Sequence, residues 1–139
     1  MKNKILVFAL AAVASCASAI GQAPANNNDW VGIWNAHADG LPTGAMTLAT
    51  DTGTLGGTLV LDIVGREGGH ARVIAQEPHV LVNPQVDGKS LSFDVKMQRR
   101  DGSVVTASFV VKLTSSDKAS LHCVSCGPNA PVVEMAKNP

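Results

Sequence analysis

Cys123-Val124-Ser125-Cys126 is the sharpest local pattern in the chain, two thiols at the C-x-x-C spacing. Such a pair closes a small disulfide in an oxidising space, exchanges disulfides when one thiol is acidified, or supplies half of a zinc site. Zinc takes about four ligands, and His122 is the one other ligand type close by. Redox motifs usually set the first thiol at a helix N-terminus. Here the pair follows a strand-like run and precedes Gly127-Pro128, so no helix is expected. The export segment described below implies an oxidising compartment, which favours a structural disulfide between Cys123 and Cys126. Redox and metal roles stand as the alternatives.

The histidines are His37, His70, His79 and His122. His37 and Asp39 stand two apart, and Glu77 and His79 repeat that spacing around Pro78. On strands each pair shares a face. Brought together, they would form a His/carboxylate metal site or an acid–base pair; otherwise they are scattered surface histidines near strand ends. Arg99-Arg100 reads as a solvated pair at a hairpin tip, with an anion or partner contact as the alternative. The chain has no G-x-S-x-G, no H-E-x-x-H and no phosphate loop. The sequence therefore assigns no catalytic residue, no metal ligand and no cofactor.

The elements that must position these residues begin with a targeting segment. Lys2 and Lys4 precede an apolar run from Ile5 to Ala14, and Ala17-Ser18-Ala19 has the A-x-A cleavage pattern. The apolar run is much shorter than the roughly 20 residues that span a bilayer. Residues 1–19 are expected to be a removed signal peptide, leaving no transmembrane span. A second reading takes Val13-Ala14-Ser15-Cys16 as similar to the lipobox of bacterial lipoproteins, with Cys16 lipidated. Residues 20–28 are small or polar and are expected to form a flexible lead before a single domain over 29–139. Both readings place the protein outside the cytoplasm, periplasmic or secreted, with a lipid anchor only in the second. Without the two leader lysines, nine Lys and Arg face eleven Asp and Glu, so no basic field points to nucleic acid. Hydrophobic residues make up 45% of the chain, which is globular composition.

From Asp29 onward, short runs rich in Val, Leu, Thr and Phe alternate with turn residues, the signature of an all-β barrel or sandwich. Leu91, Phe93, Val95 and Met97 alternate with polar residues; so do Val105, Ala107, Phe109, Val111 and Leu113. Asp101-Gly102 between them suits a type I′ hairpin, and Asp87-Gly88 repeats that chemistry. Other expected strands are Trp30 to Ala38, Ala45 to Thr50, Thr54 to Val64, Ala71 to Ala75, His79 to Val82, Ala119 to Val124 and Val132 to Met135. Gly56-Gly57 is expected to mark a bulge or bend. The expectation is an antiparallel up-and-down barrel of about 8–9 strands, with a β-sandwich as the alternative.

Trp30, Gly32 and Trp34 would share one face of the first strand. Either the indoles plug the barrel end, with Gly32 admitting a neighbouring chain, or an indole lines a ligand cavity. Gly32-Ile33-Trp34 resembles the G-x-W element of the lipocalin and calycin superfamily. Leu81-Val82-Asn83-Pro84, Leu91-Ser92-Phe93 and Pro131-Val132-Val133-Glu134-Met135 look like small secreted bacterial lipocalin-like barrels, mostly without assigned function. No basic residue in the sequence clearly matches the family's later Arg that packs on the Trp. The resemblance implies a binding module for an apolar small molecule, with Trp34 and Trp30 as candidate ligand-binding residues. The alternative it implies is a protein-binding module such as a periplasmic hydrolase inhibitor, which would use the N-terminal lead. An enzyme with a His/carboxylate site is the third reading.

Overall fold

The structure, a computed structural model, describes residues 26–139. The expected signal peptide, Cys16 and most of the expected lead lie outside the described residues. Asn26 opens the described chain as the cap of a helical turn, Asn27–Trp30, its side chain accepting from the Asn28 N–H at 3.0 Å. Asn27 and Asn28, expected in the lead, thus belong to this turn.

Nine strands follow: β1 (Gly32–Ala38), β2 (Leu41–Asp51), β3 (Thr54–Glu67), β4 (His70–Val80), β5 (Val82–Asp87), β6 (Ser90–Gln98), β7 (Val104–Leu113), β8 (Lys118–Cys123) and β9 (Val132–Lys137). They form one antiparallel sheet in the order β4-β3-β2-β1-β9-β8-β7-β6-β5. Every neighbouring pair is a sequential hairpin except β1 with β9, which joins the first strand to the last. The protein is therefore all-β with up-and-down connections, as its alternating pattern requires. The edge strands β4 and β5 are consecutive in the chain and meet at Leu81. No ladder joins them, so the sheet is barrel-like and not a fully hydrogen-bonded ring, and a sandwich description fits equally. Leu81 is buried at this seam, and its N–H donates to the Gly57 carbonyl at 3.0 Å. His79 reaches across it to the Lys96 carbonyl, 3.1 Å from Nδ1.

The expected strand Ala71 to Ala75 and the first part of the expected strand His79 to Val82 are one continuous β4, which ends at Val80; Leu81 lies between strands and Val82 opens β5. Pro78 does not break it because β4 is an edge strand, where a missing N–H costs no ladder bond. The run Val82–Asp87 is a strand that the sequence pattern did not reveal. Gly56-Gly57 carries no bulge: the β2–β3 register runs through both residues without a shift. Gly57 instead lets β3 approach the Thr47 carbonyl, which a Cβ would strike. The bulge in β3 and β4 lies between Ile63 and Val64.

Turn chemistry differs from expectation in its placement. Asp39-Gly40, Thr52-Gly53 and Gly68-Gly69 each have two positive φ angles and sit in two-residue loops, the type I′ pattern. Asp101-Gly102 does not. Only Gly102 is positive, at φ 85°, and its N–H returns to the Arg99 carbonyl at 2.9 Å. That is a longer loop ending in a left-handed glycine. Asp101 Oδ1 accepts from the Ser103 hydroxyl at 2.6 Å and the Ser103 N–H at 2.9 Å. These bonds, the hydroxyl's first, hold the exposed Asp101 carboxyl below its ordinary range.

The inward face is the expected one. Leu91, Phe93 and Val95 of β6 and Ala107, Phe109 and Val111 of β7 are buried. Phe93 and Phe109 stand directly opposite in register and stack with centroids 5.6 Å apart. Phe109→Ala should cost about 3–5 kcal/mol through lost burial and the cavity left behind. Thr106→Ala, on the exposed face, should cost within about 0.5 kcal/mol. Urea melts of the two variants check the face assignment.

The turn makes a second prediction. A carboxyl whose folded pKa is depressed stabilises the fold above its unfolded value and loses that contribution as pH falls through the folded value. Ser103→Ala removes the largest cause, so Asp101 should titrate closer to its ordinary range. An NMR titration of the Asp101 side-chain carboxyl in both proteins reads this directly.

Candidate functional site

Trp30 and Trp34 are both fully buried, but they do not share a strand face. Trp30 ends the helical turn and Trp34 lies on β1. The strand starts only at Gly32, because the capped turn takes the preceding residues. The Trp34 Nε1–H donates to the Trp30 carbonyl at 2.9 Å, and the rings sit 6.1 Å apart, tilted by 44°. This bond ties the turn to the base of the sheet and satisfies one buried indole. The Trp30 indole N–H has no protein partner.

Lys137, on β9 directly opposite Trp34, is the residue that sequence reasoning missed here. Its ammonium lies 5.4 Å from the Trp34 ring centroid and donates to the Asp29 carbonyl at 3.1 Å. A Cβ on Gly32 would meet the Lys137 stem at 2.8 Å, so the glycine makes room for this lysine. The expectation that Gly32 admits a neighbouring chain thus has a concrete partner. The available signal was positional: a basic residue at the end of the strand that must close on the first.

At the other end of β1 the core opens into an apolar recess of about 230 Å³. One wall comes from Ala36 of β1, Gly44 of β2, and Leu59 and Leu61 of β3. The facing wall comes from Phe109, Leu121 and Val133, with both sulfurs' residues, Cys123 and Cys126, and the Ala130-Pro131 segment at the rim. Gly44 is required here because a Cβ would strike the Val60 carbonyl of β3. Thr43 is the one lining residue with a side-chain hydrogen-bonding group, and its hydroxyl is buried without a partner among the described residues. Neither indole lines this recess. Trp34 sits two residues from Ala36 on the same face of β1, about 7 Å away along the strand by the pleat repeat.

Cys123 and Cys126 form the expected disulfide, with Cα atoms 5.4 Å apart. A single 3-10 turn, Val124–Cys126, supplies that geometry. Ser125 pins the turn to β7, its hydroxyl accepting from the Ser108 N–H at 2.9 Å. Ser108 in turn donates to Asp94 at 2.6 Å.

The histidine pairs stay apart. His37 and Asp39 belong to β1 and its turn, Glu77 and His79 to β4, three inter-strand steps or about 14 Å away. Glu77 and His79 do meet, at 3.7 Å. The His79 Nδ1–H donates across the seam, and Nε2 is buried without a hydrogen-bond partner. His70 lies at the β3–β4 turn, and His122 sits on the outer face between Val110 and Val132. No group of three or more His, Cys, Asp or Glu is arranged to hold a metal among the described residues. Arg99 and Arg100 are exposed at the β6–β7 loop, as expected. No helix among the described residues is long and apolar enough to cross a membrane.

No family model, curated protein or solved structure matches the chain.

The lysine–indole contact carries its own prediction. Lys137→Met keeps the apolar stem and removes the charge. It should cost about 0.5–1 kcal/mol, the range of a partly exposed cation–π contact, and should change tryptophan emission. Thermal melts and fluorescence spectra of the folded variant check both.

Proposed function

We propose that this protein is an extracytoplasmic binding module of calycin-like type whose recess takes a small apolar molecule carrying one hydrogen-bonding group. The recess carries this reading: apolar side chains make nearly all of its lining, and the one polar side chain among them, Thr43, has an unused buried hydroxyl. Its volume of about 230 Å³ suits a single ring or a short chain end. An apolar cavity of about 150 Å³ already accepts benzene. The Trp34–Lys137 contact supports the likeness to calycins, since a late basic residue packs on the Trp there too. The disulfide supports an oxidising location, and the signal-like segment at residues 1–19 agrees. Trp30 and Trp34 do not line the recess and enter this proposal only as its optical reporters, Trp34 lying two residues from the lining Ala36 on β1.

A protein-binding role is the second reading, and one observation favours it. The far half of the β3–β4 hairpin extends past the core, with Ile63, Val64, Val73 and Ile74 exposed on it. An apolar two-stranded arm of this kind is a common contact surface. Enzymatic use of Glu77 and His79 has no comparable support, because no third group joins them.

Titration with single-ring aromatics and short-chain alcohols or acids, followed by amide NMR shifts and tryptophan fluorescence, tests the proposal. Saturable shifts should centre on Ala36, Gly44, Leu61 and Ala130. Val133→Phe should fill the mouth and remove binding. Thr43→Val should weaken ligands with a polar end by about fivefold to tenfold, as loss of one hydrogen bond does, and spare fully apolar ones. No saturable shift up to millimolar concentration would leave protein binding through the β3–β4 arm as the better reading.

A further inference from the structure

We propose that Cys123–Cys126 is an exchangeable disulfide, attacked at Cys126 by an external dithiol, with Ser125 stabilising the leaving Cys123 thiolate. The two sulfurs are inequivalent. Cys126 is exposed on the loop between β8 and β9, whereas Cys123 is buried at the end of β8. Access selects the sulfur that is attacked, so an incoming thiolate meets Cys126.

The leaving sulfur has a prepared partner. Ser125 Oγ lies 3.8 Å from Cys123 Sγ. A disulfide sulfur carries no hydrogen, so the hydroxyl is the donor in this contact. The same oxygen accepts the Ser108 N–H at 2.9 Å, which fixes the hydroxyl on the β7 side and leaves its own hydrogen free to point at Cys123. A hydroxyl donating to sulfur gains strength when the sulfur becomes an anion. The contact is therefore worth most in the step that expels Cys123.

The chemistry balances as follows. A thiolate of the dithiol forms a bond to Cys126 Sγ while the Cys123–Cys126 bond breaks. Its electron pair stays on Cys123 Sγ, which takes the Ser125 hydrogen bond and then a proton from solvent. The donor's second thiolate attacks the donor sulfur of the mixed disulfide and releases Cys126, also protonated from solvent. The protein gains two electrons and two protons, and the dithiol leaves as a disulfide. Cys123, Cys126, Ala130 and Pro131 are among the residues that line the apolar recess, so the exchange takes place in its lining. The exchange itself needs no recess ligand, and its test stands apart from the binding proposal.

The experiment uses the folded, oxidised protein with dithiothreitol under pseudo-first-order conditions. Expected is a reduction rate proportional to dithiol concentration. Ser125→Ala should slow it about tenfold, the scale of one hydrogen bond to a charged group, and Ser125→Thr should keep most of the rate. In urea the three proteins should react alike. Glutathione, with acid quenching and alkylation, should be found on Cys126 and the alkyl label on Cys123. This mapping needs only the unsubstituted protein, so it decides even if Ser125→Ala does not fold. Equal rates for folded Ser125→Ala and the parent would overturn the proposal. So would glutathione on Cys123, or a rate independent of dithiol concentration, which marks reduction only after unfolding.

Discussion

Every strand except β4 contributes apolar residues to one face of one sheet, and that face has no second layer to cover it. The sheet must curl until the face meets itself, and the remaining features serve that closure. Pairing of β1 with β9 brings the first and last strands together at the centre of the sheet order. Leu81 carries the chain directly from one sheet edge to the other, so the seam is spanned covalently where the ladder stops. Its N–H bond to Gly57 and the His79 bond to Lys96 are local substitutes for the missing strand pairing. Glycines stand where curling presses backbones together, Gly44 against Val60 and Gly57 against Thr47.

The two ends of the curled sheet are finished differently. At the base, the Asn27–Trp30 turn sets one indole into the core and offers its last carbonyl to the other. Lys137 covers that assembly from β9, its stem over Gly32 and its charge near the Trp34 ring and the Asp29 carbonyl. Large rings, a satisfied N–H and an amphipathic cover make a closed end. At the opposite end the lining residues are smaller, Ala36, Gly44 and Ala130 among them, and volume is left over. The rim there is held by a short disulfide loop and by Ser125, not by strand pairing. The end that holds the recess is therefore also the end that carries the disulfide.

The β3–β4 hairpin does not follow this economy. Beyond the Ile63–Val64 bulge both strands leave the core, and β4 is exposed over most of its length. Strict alternation lapses there, with Ile63-Val64 and Val73-Ile74-Ala75 as consecutive apolar residues, and no opposing layer among the described residues receives them. Arg72 and Glu67 pair near the tip, and Pro78 and the bulge blunt the open edge. Val73 and Ile74 remain exposed on this arm.

Period-2 alternation determined the all-β class, the antiparallel succession and the inward faces of β6 and β7, because side chains on a pleated strand have nowhere else to point. Two thiols three positions apart, together with the expected export, pointed to the disulfide that the structure shows, since a tight turn suffices to join them. Local chemistry was less decisive for turns and boundaries. Asp101-Gly102 took a different loop from the one its dipeptide favours, and a capped turn removed Trp30 from the strand. What only the tertiary structure decided depends on register and on separation in three dimensions. The meeting of Lys137 with Trp34 spans the length of the domain. The distance between the histidine pairs follows from which strands intervene. The recess exists because the walls facing Ala36 and Gly44 do not fill the space opposite them, and volume left unfilled between strands far apart in sequence has no local signature.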